Sequence, residues 1–82
     1  MNLFVGNLSQ YMDERALKNI FREYGMVLSV QLVKDQATHR SSGFGYVEMD
    51  SETDAQAAIK ALNNKLIQGK RMIVNKKQSK TY

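Results

Sequence analysis

The sequence has no cysteine, no proline and no tryptophan, and its one histidine is His39. Without thiols there is no disulfide framework, no cysteine-ligated zinc site and no cysteine nucleophile. An isolated imidazole in a polar stretch is not a catalytic constellation, and no loop combines cations and asparagine to cradle a phosphate. The chain is therefore expected to be no enzyme and to need neither metal nor cofactor. No apolar run approaches the ~20 residues of a membrane span. Residues 1–8 also lack the basic start and long apolar centre of a signal peptide. Both absences, with the lack of cysteine, point to an intracellular, cytoplasmic protein with no membrane partner.

What remains is 82 residues, 43% hydrophobic and 24% charged, the composition of one ordinary globular domain. A chain of this size hides only roughly 60–65% of its unfolded surface. A thin core leaves little room for a deep cavity, so a small-molecule substrate is not expected and function should lie on an open surface.

The net charge of +4 is unevenly placed. Residues 1–33 balance, with Arg15, Lys18 and Arg22 against Asp13, Glu14 and Glu23. Residues 34–64 carry an acidic excess, and the last 18 residues hold Lys65, Lys70, Arg71, Lys76, Lys77 and Lys80 with no acid. Clustered cations suit a polyanion, because binding releases its condensed counterions; a solvated basic tail has the same composition.

The hydrophobic period alternates between two and three to four along the chain. Residues 2–6 alternate as a strand, with Leu3 and Val5 on one face and Asn2, Phe4 and Gly6 on the other. Asp13 caps an expected helix through Tyr24, with Ala16, Leu17, Ile20, Phe21 and Tyr24 as its stripe and Gly25 as a left-handed stop. A second strand runs over 27–34, with Val30 and Leu32 opposite Ser29, Gln31 and Val33. After a polar turn over 35–42, a third covers 43–49, with Gly45, Val47 and Met49 opposite Phe44, Tyr46 and Glu48. Ser51 opens another helix, with Asp54 three residues on and Ala55, Ala58, Ile59 and Leu62 as its stripe, and Asn63 and Asn64 close it. Residues 65–67 and 71–76 flank Gln68-Gly69-Lys70 as a short hairpin and a last strand, where Met72 and Val74 face inward beside outward Arg71, Ile73 and Asn75.

The order β-α-β-β-α-β predicts an α+β, ferredoxin-like split βαβ fold: a four-stranded antiparallel sheet with both helices on one face. Residues 1–77 form the domain, and 78–82 a basic C-terminal tail. On the face without helices the alternation places Phe4, Phe44 and Tyr46, a contiguous aromatic patch. Flat rings on a rigid sheet make a stacking platform, since every nucleobase has a π-face. Coverage of the patch by the chain's own tail, including Tyr82, or a register slip of one residue, are the competing readings. Phe21, Tyr24 and Tyr11 are assigned to packing.

At these residues the sequence resembles the RNA-recognition-motif family. Its octamer, Lys/Arg-Gly-Phe/Tyr-Gly/Ala-Phe-Val-x-Phe/Tyr, reads here Ser42-Gly-Phe-Gly-Tyr-Val-Glu-Met49. Its hexamer reads Leu3-Phe-Val-Gly-Asn-Leu8, and the likeness spans about residues 2–77. More narrowly, the chain is similar to small single-motif RNA-binding proteins of bacteria and cyanobacteria and to the recognition domain of plant glycine-rich RNA-binding proteins, without a glycine-rich tail. The resemblance implies that Phe4 and Phe44 stack on bases, with Tyr46 against a base or sugar between neighbours. Ser42 stands where the family has a phosphate-reaching cation, which Arg40 could replace from the loop. Met49 replaces an aromatic at a position that points to the core.

Around the rings, Asn2, Gln31 and Asn75 offer donors and acceptors to base edges, and Arg71, Lys76 and Lys77 cations to phosphates. Ile73 occupies an outward position where relatives carry a polar or basic residue. The expected partner is single-stranded RNA bound by a monomer; stacking serves single-stranded DNA equally. The rival reading is a protein-interaction module that binds a peptide through its helices. A membrane-surface binder is disfavoured because neither helix pairs a strong apolar face with a dense basic one.

Overall fold

A computed structural model describes residues 1–34, 37 and 41–77, and of Ser41 and Ser42 the backbone alone. The elements follow the expected order: β1 (Asn2–Gly6), α1 (Glu14–Arg22), β2 (Val27–Lys34), β3 (Ser41–Met49), α2 (Glu52–Leu62), β4 (Lys65–Ile67) and β5 (Lys70–Lys76). The sheet is antiparallel, in the order β2-β3-β1-β5-β4, so the first and third strands lie side by side at its centre. It has five strands rather than four, because residues 65–67 of the expected short hairpin pair with β5 as a strand of their own. A two-residue turn with positive φ at Gln68 (53°) and Gly69 (84°) closes that hairpin. Such a turn matches the twist of its strands. The class is unchanged.

The helices start as the capping residues dictate. The Asp13 carboxylate accepts from the Ala16 amide at 2.7 Å, and the Ser51 hydroxyl from the Asp54 amide at 3.3 Å. The first helix stops earlier than its periodicity suggests. Glu23 caps it, and the Tyr24 amide turns back to the Phe21 carbonyl at 3.0 Å. Gly25, at φ +156°, is not the left-handed stop expected of it. Glycine is needed there for space, since a β-carbon would stand 2.6 Å from Cβ and Cγ of Asp54 in the first turn of α2. At the other end of α2, the Asn63 side chain accepts from the Val74 amide at 3.0 Å and the Asn64 amide donates to the Met72 carbonyl at 2.7 Å. The two asparagines thus tie the helix end to β5.

The core lies between the sheet and the helices. Leu3, Val5, Leu32, Val47, Met49, Met72 and Val74 from the strands meet Leu17, Phe21, Ala55, Ala58 and Leu62 from the helices, all buried. Met49 is wholly buried, as its inward position requires. One assignment fails: Tyr11 is 78% exposed and lies outside the core. It lies in the turn before Asp13, ahead of the periodic stripe that carries Phe21 inward.

Candidate nucleic-acid interface

Strand alternation that sends Leu3, Val5 and Val47 under the helices sends their neighbours Phe4, Phe44 and Tyr46 to the opposite side, where each is half-buried. The three rings form a nearly equilateral triangle. Phe4 and Phe44 are stacked, 6.1 Å between centroids and 29° between planes. Tyr46 stands edge-on to both, at 6.0 Å from Phe4 and 6.4 Å from Phe44. Edge-to-face and offset contacts at these separations are favourable, so the rings hold one another in place.

Register then aligns polar groups with the rings. Tyr46 pairs with Phe4 on one side and Gln31 on the other, and Phe4 pairs in turn with Asn75. A single row across four strands therefore reads Gln31, Tyr46, Phe4, Asn75, two rings flanked by two exposed amides. Asn2, also exposed, lies opposite Glu48. Ile73 pairs with Gly6 and is 39% exposed, extending the apolar surface beyond Phe4.

The cations divide. The Lys77 ammonium lies 4.6 Å from the Tyr46 ring centroid, a cation–π contact on the platform itself, and its amide donates to the Asn2 carbonyl at 2.9 Å. Lys76 is exposed but shares its strand parity with the buried Met72 and Val74, on the helix side. Arg71 has the outward parity, yet its Nη1 donates to the Asn64 carbonyl at 3.1 Å and its carbonyl accepts from the Asn7 amide group at 2.8 Å, which ties it to the edge. Arg40, His39, Lys80 and Tyr82 lie outside the described residues.

The octamer glycines have distinct tasks. Gly43 has φ +87°, a conformation costly for a side chain, and its carbonyl accepts from the Leu8 amide at 2.9 Å, joining β3 to the end of β1. Gly45 lies where β2 comes close: a β-carbon there would strike the Gln31 carbonyl oxygen and stand 3.2 Å from Leu32 Cα. The β2–β3 register shifts between Leu32 and Lys34, beside this contact. Sequence reasoning left out two residues of the platform face, Glu48 and Ser29. Both have outward strand parity, and the signal that marks them is the alternation that also places the rings.

On the helix side, Asn19, Ile20, Tyr24 and Leu62 line a shallow hollow. Among the described residues no cluster of His, Asp or Glu is placed to hold a metal ion, and no helix is long and apolar enough to cross a membrane.

Comparison with known proteins agrees with this geometry. Residues 3–73 match the RNA recognition motif family. The chain is 46% identical over 76 residues to a Nostoc sp. protein named as a candidate RNA-binding protein, RbpB, covering 93% of this chain and 74% of that one. It is 43% identical over 74 residues to the small ribosomal subunit protein cS22 of Arabidopsis thaliana, covering 90% of this chain but only 29% of the length of that protein. Among solved structures, the RNA-binding protein PG1 superposes with a TM-score of 0.93 at 39% identity, covering 100% of this chain and 99% of that one. A Sex-lethal protein/RNA complex superposes at 0.91 with 35% identity, over 98% of this chain and 48% of that one. These names are of RNA-binding and ribosomal proteins, not of enzymes, in keeping with the chemistry of the sequence. The chain belongs to the RNA recognition motif family.

Proposed function

We propose that this chain binds single-stranded RNA, with about two to four unpaired bases laid across the sheet on Phe4, Phe44 and Tyr46. Gln31, Asn2 and Asn75 meet base edges, Ile73 extends the apolar surface beside Phe4, and Lys77 leads the phosphate contacts, with Arg71 at the sheet edge. The observation that carries this reading is the row Gln31, Tyr46, Phe4, Asn75, which puts hydrogen-bonding amides at both ends of a ring pair on the helix-free face. Family membership and the RNA in the Sex-lethal complex support the choice of ligand.

Magnitudes set the expected strength. Stacks worth about 1–3 kcal/mol each give roughly 2–12 kcal/mol over the bound bases. Association and ordering cost at least about 4 kcal/mol. The remainder corresponds to dissociation constants on the order of micromolar or weaker for the rings alone. Titration of a short unstructured RNA into the protein and its Phe44→Ala variant tests the proposal. Weaker binding by a variant that still folds supports it; unchanged affinity removes the platform from the account.

A further inference from the structure

Glu48 is an acid in the middle of a surface that meets a polyanion. It pairs with Asn2 on β1 and with Ser29 on β2, and it follows Tyr46 by two residues on the same face of β3. The row Ser29, Glu48, Asn2 therefore runs beside the ring row, about 6.6 Å away, close to the width of a base. Ser29 Oγ lies 3.4 Å from Oε1 of Glu48, a long contact that touches only one of the two carboxylate oxygens. The nearby ammonium of Lys77 lies over the Tyr46 ring.

A carboxylate on this face repels phosphates and can only accept hydrogen bonds. It is compatible with bound RNA where it meets donors on a base edge. The four bases differ sharply in this respect. Guanine presents two adjacent donors, N1–H and N2–H, which match the two carboxylate oxygens. Adenine and cytosine present an amino group beside an acceptor nitrogen. Uracil presents a single N3–H between two carbonyl oxygens, whose lone pairs face those of the carboxylate. In single-stranded RNA this edge is open to the protein.

Resting on the platform reading above, we propose that Glu48 is a specificity-determining residue, which selects guanine and rejects uracil at the nucleotide stacked beside it, with the Asn2 amide available to the guanine O6.

The test is a set of titrations of the full chain with the pentanucleotides UUGUU and UUUUU, for the wild type, Glu48→Gln, Glu48→Ala and Phe44→Ala. The wild type should bind UUGUU on the order of tenfold more tightly than UUUUU. In both Glu48 variants that ratio should fall toward one. Affinity for UUUUU should hold or rise, because a repelling charge is gone. Phe44→Ala should weaken both RNAs. A wild type without guanine preference, or a ratio that survives Glu48→Gln, overturns the assignment while leaving the platform intact. A wild type that binds neither RNA, or a Phe44→Ala that binds both as well as the wild type, overturns the platform and the assignment with it.

Discussion

The ring of Phe4 lies across Gly6, two residues along the same strand: a β-carbon at position 6 would stand 2.9 Å from Cε2 and 3.1 Å from Cζ of that ring. Gly6 is thereby the seat of the platform ring. Because the crowded atoms are the far end of a side chain on the outer face, a Gly6→Ala variant should keep its fold and tilt the ring. Its thermal midpoint should move by a few degrees at most, while RNA affinity falls several-fold. A large loss of stability with affinity per folded molecule unchanged would contradict this role.

Gly45 should respond the opposite way. An added β-carbon there meets the Gln31 carbonyl oxygen and Leu32 Cα, main-chain atoms fixed by the β2–β3 ladder. Gly45→Ala should destabilise the fold by about 2 kcal/mol or more in chemical denaturation, the cost typical of overpacking a closed site. Unaltered stability would mean that β2 gives way freely.

The lengthwise pattern carried most of the fold. Period two put Phe4, Phe44 and Tyr46 on one face and Leu3, Val5 and Val47 on the other, which is a local consequence of pleating. Capping at Asp13 and Ser51 is equally local. What stayed hidden depends on contacts between distant segments. The approach of Gly25 to Asp54 and the grip of Asn63 on Val74 join residues 29 and 11 positions apart. The site divides the same way. Its rings were legible from alternation and from two motifs, whereas the shared row with Gln31 and Asn75 needed the register, and the engagement of Arg71 with Asn64 needed the folded edge.

Asn63→Ala removes the side-chain acceptor of a half-buried Val74 amide. Leaving such a donor unmet costs about 1–3 kcal/mol. Equilibrium unfolding should show a loss in that range with RNA affinity unchanged at temperatures where the protein stays folded. No loss would indicate that water replaces the carbonyl oxygen.

Lys77 and Lys76 offer a paired comparison. With its ammonium 4.6 Å over the Tyr46 ring, Lys77 stands where a phosphate beside a stacked base would pass, whereas Lys76 has helix-side parity. Lys77→Gln should reduce the slope of log affinity against log salt by about 0.7, the value of one single-strand phosphate contact. Lys76→Gln should leave the slope as it is. Equal effects of the two substitutions would show that strand parity does not decide which lysine reaches the backbone.

Amide chemical-shift mapping during titration with a short unstructured RNA bears most directly on the platform. Bound RNA should move the resonances of Phe4, Gln31, Phe44, Tyr46 and Asn75 together, with one apparent affinity, while Ile20, Tyr24 and Leu62 on the helix side stay in place. Movement confined to that helix-side hollow, with the sheet resonances still, would contradict the platform and favour recognition of a protein partner through the helices.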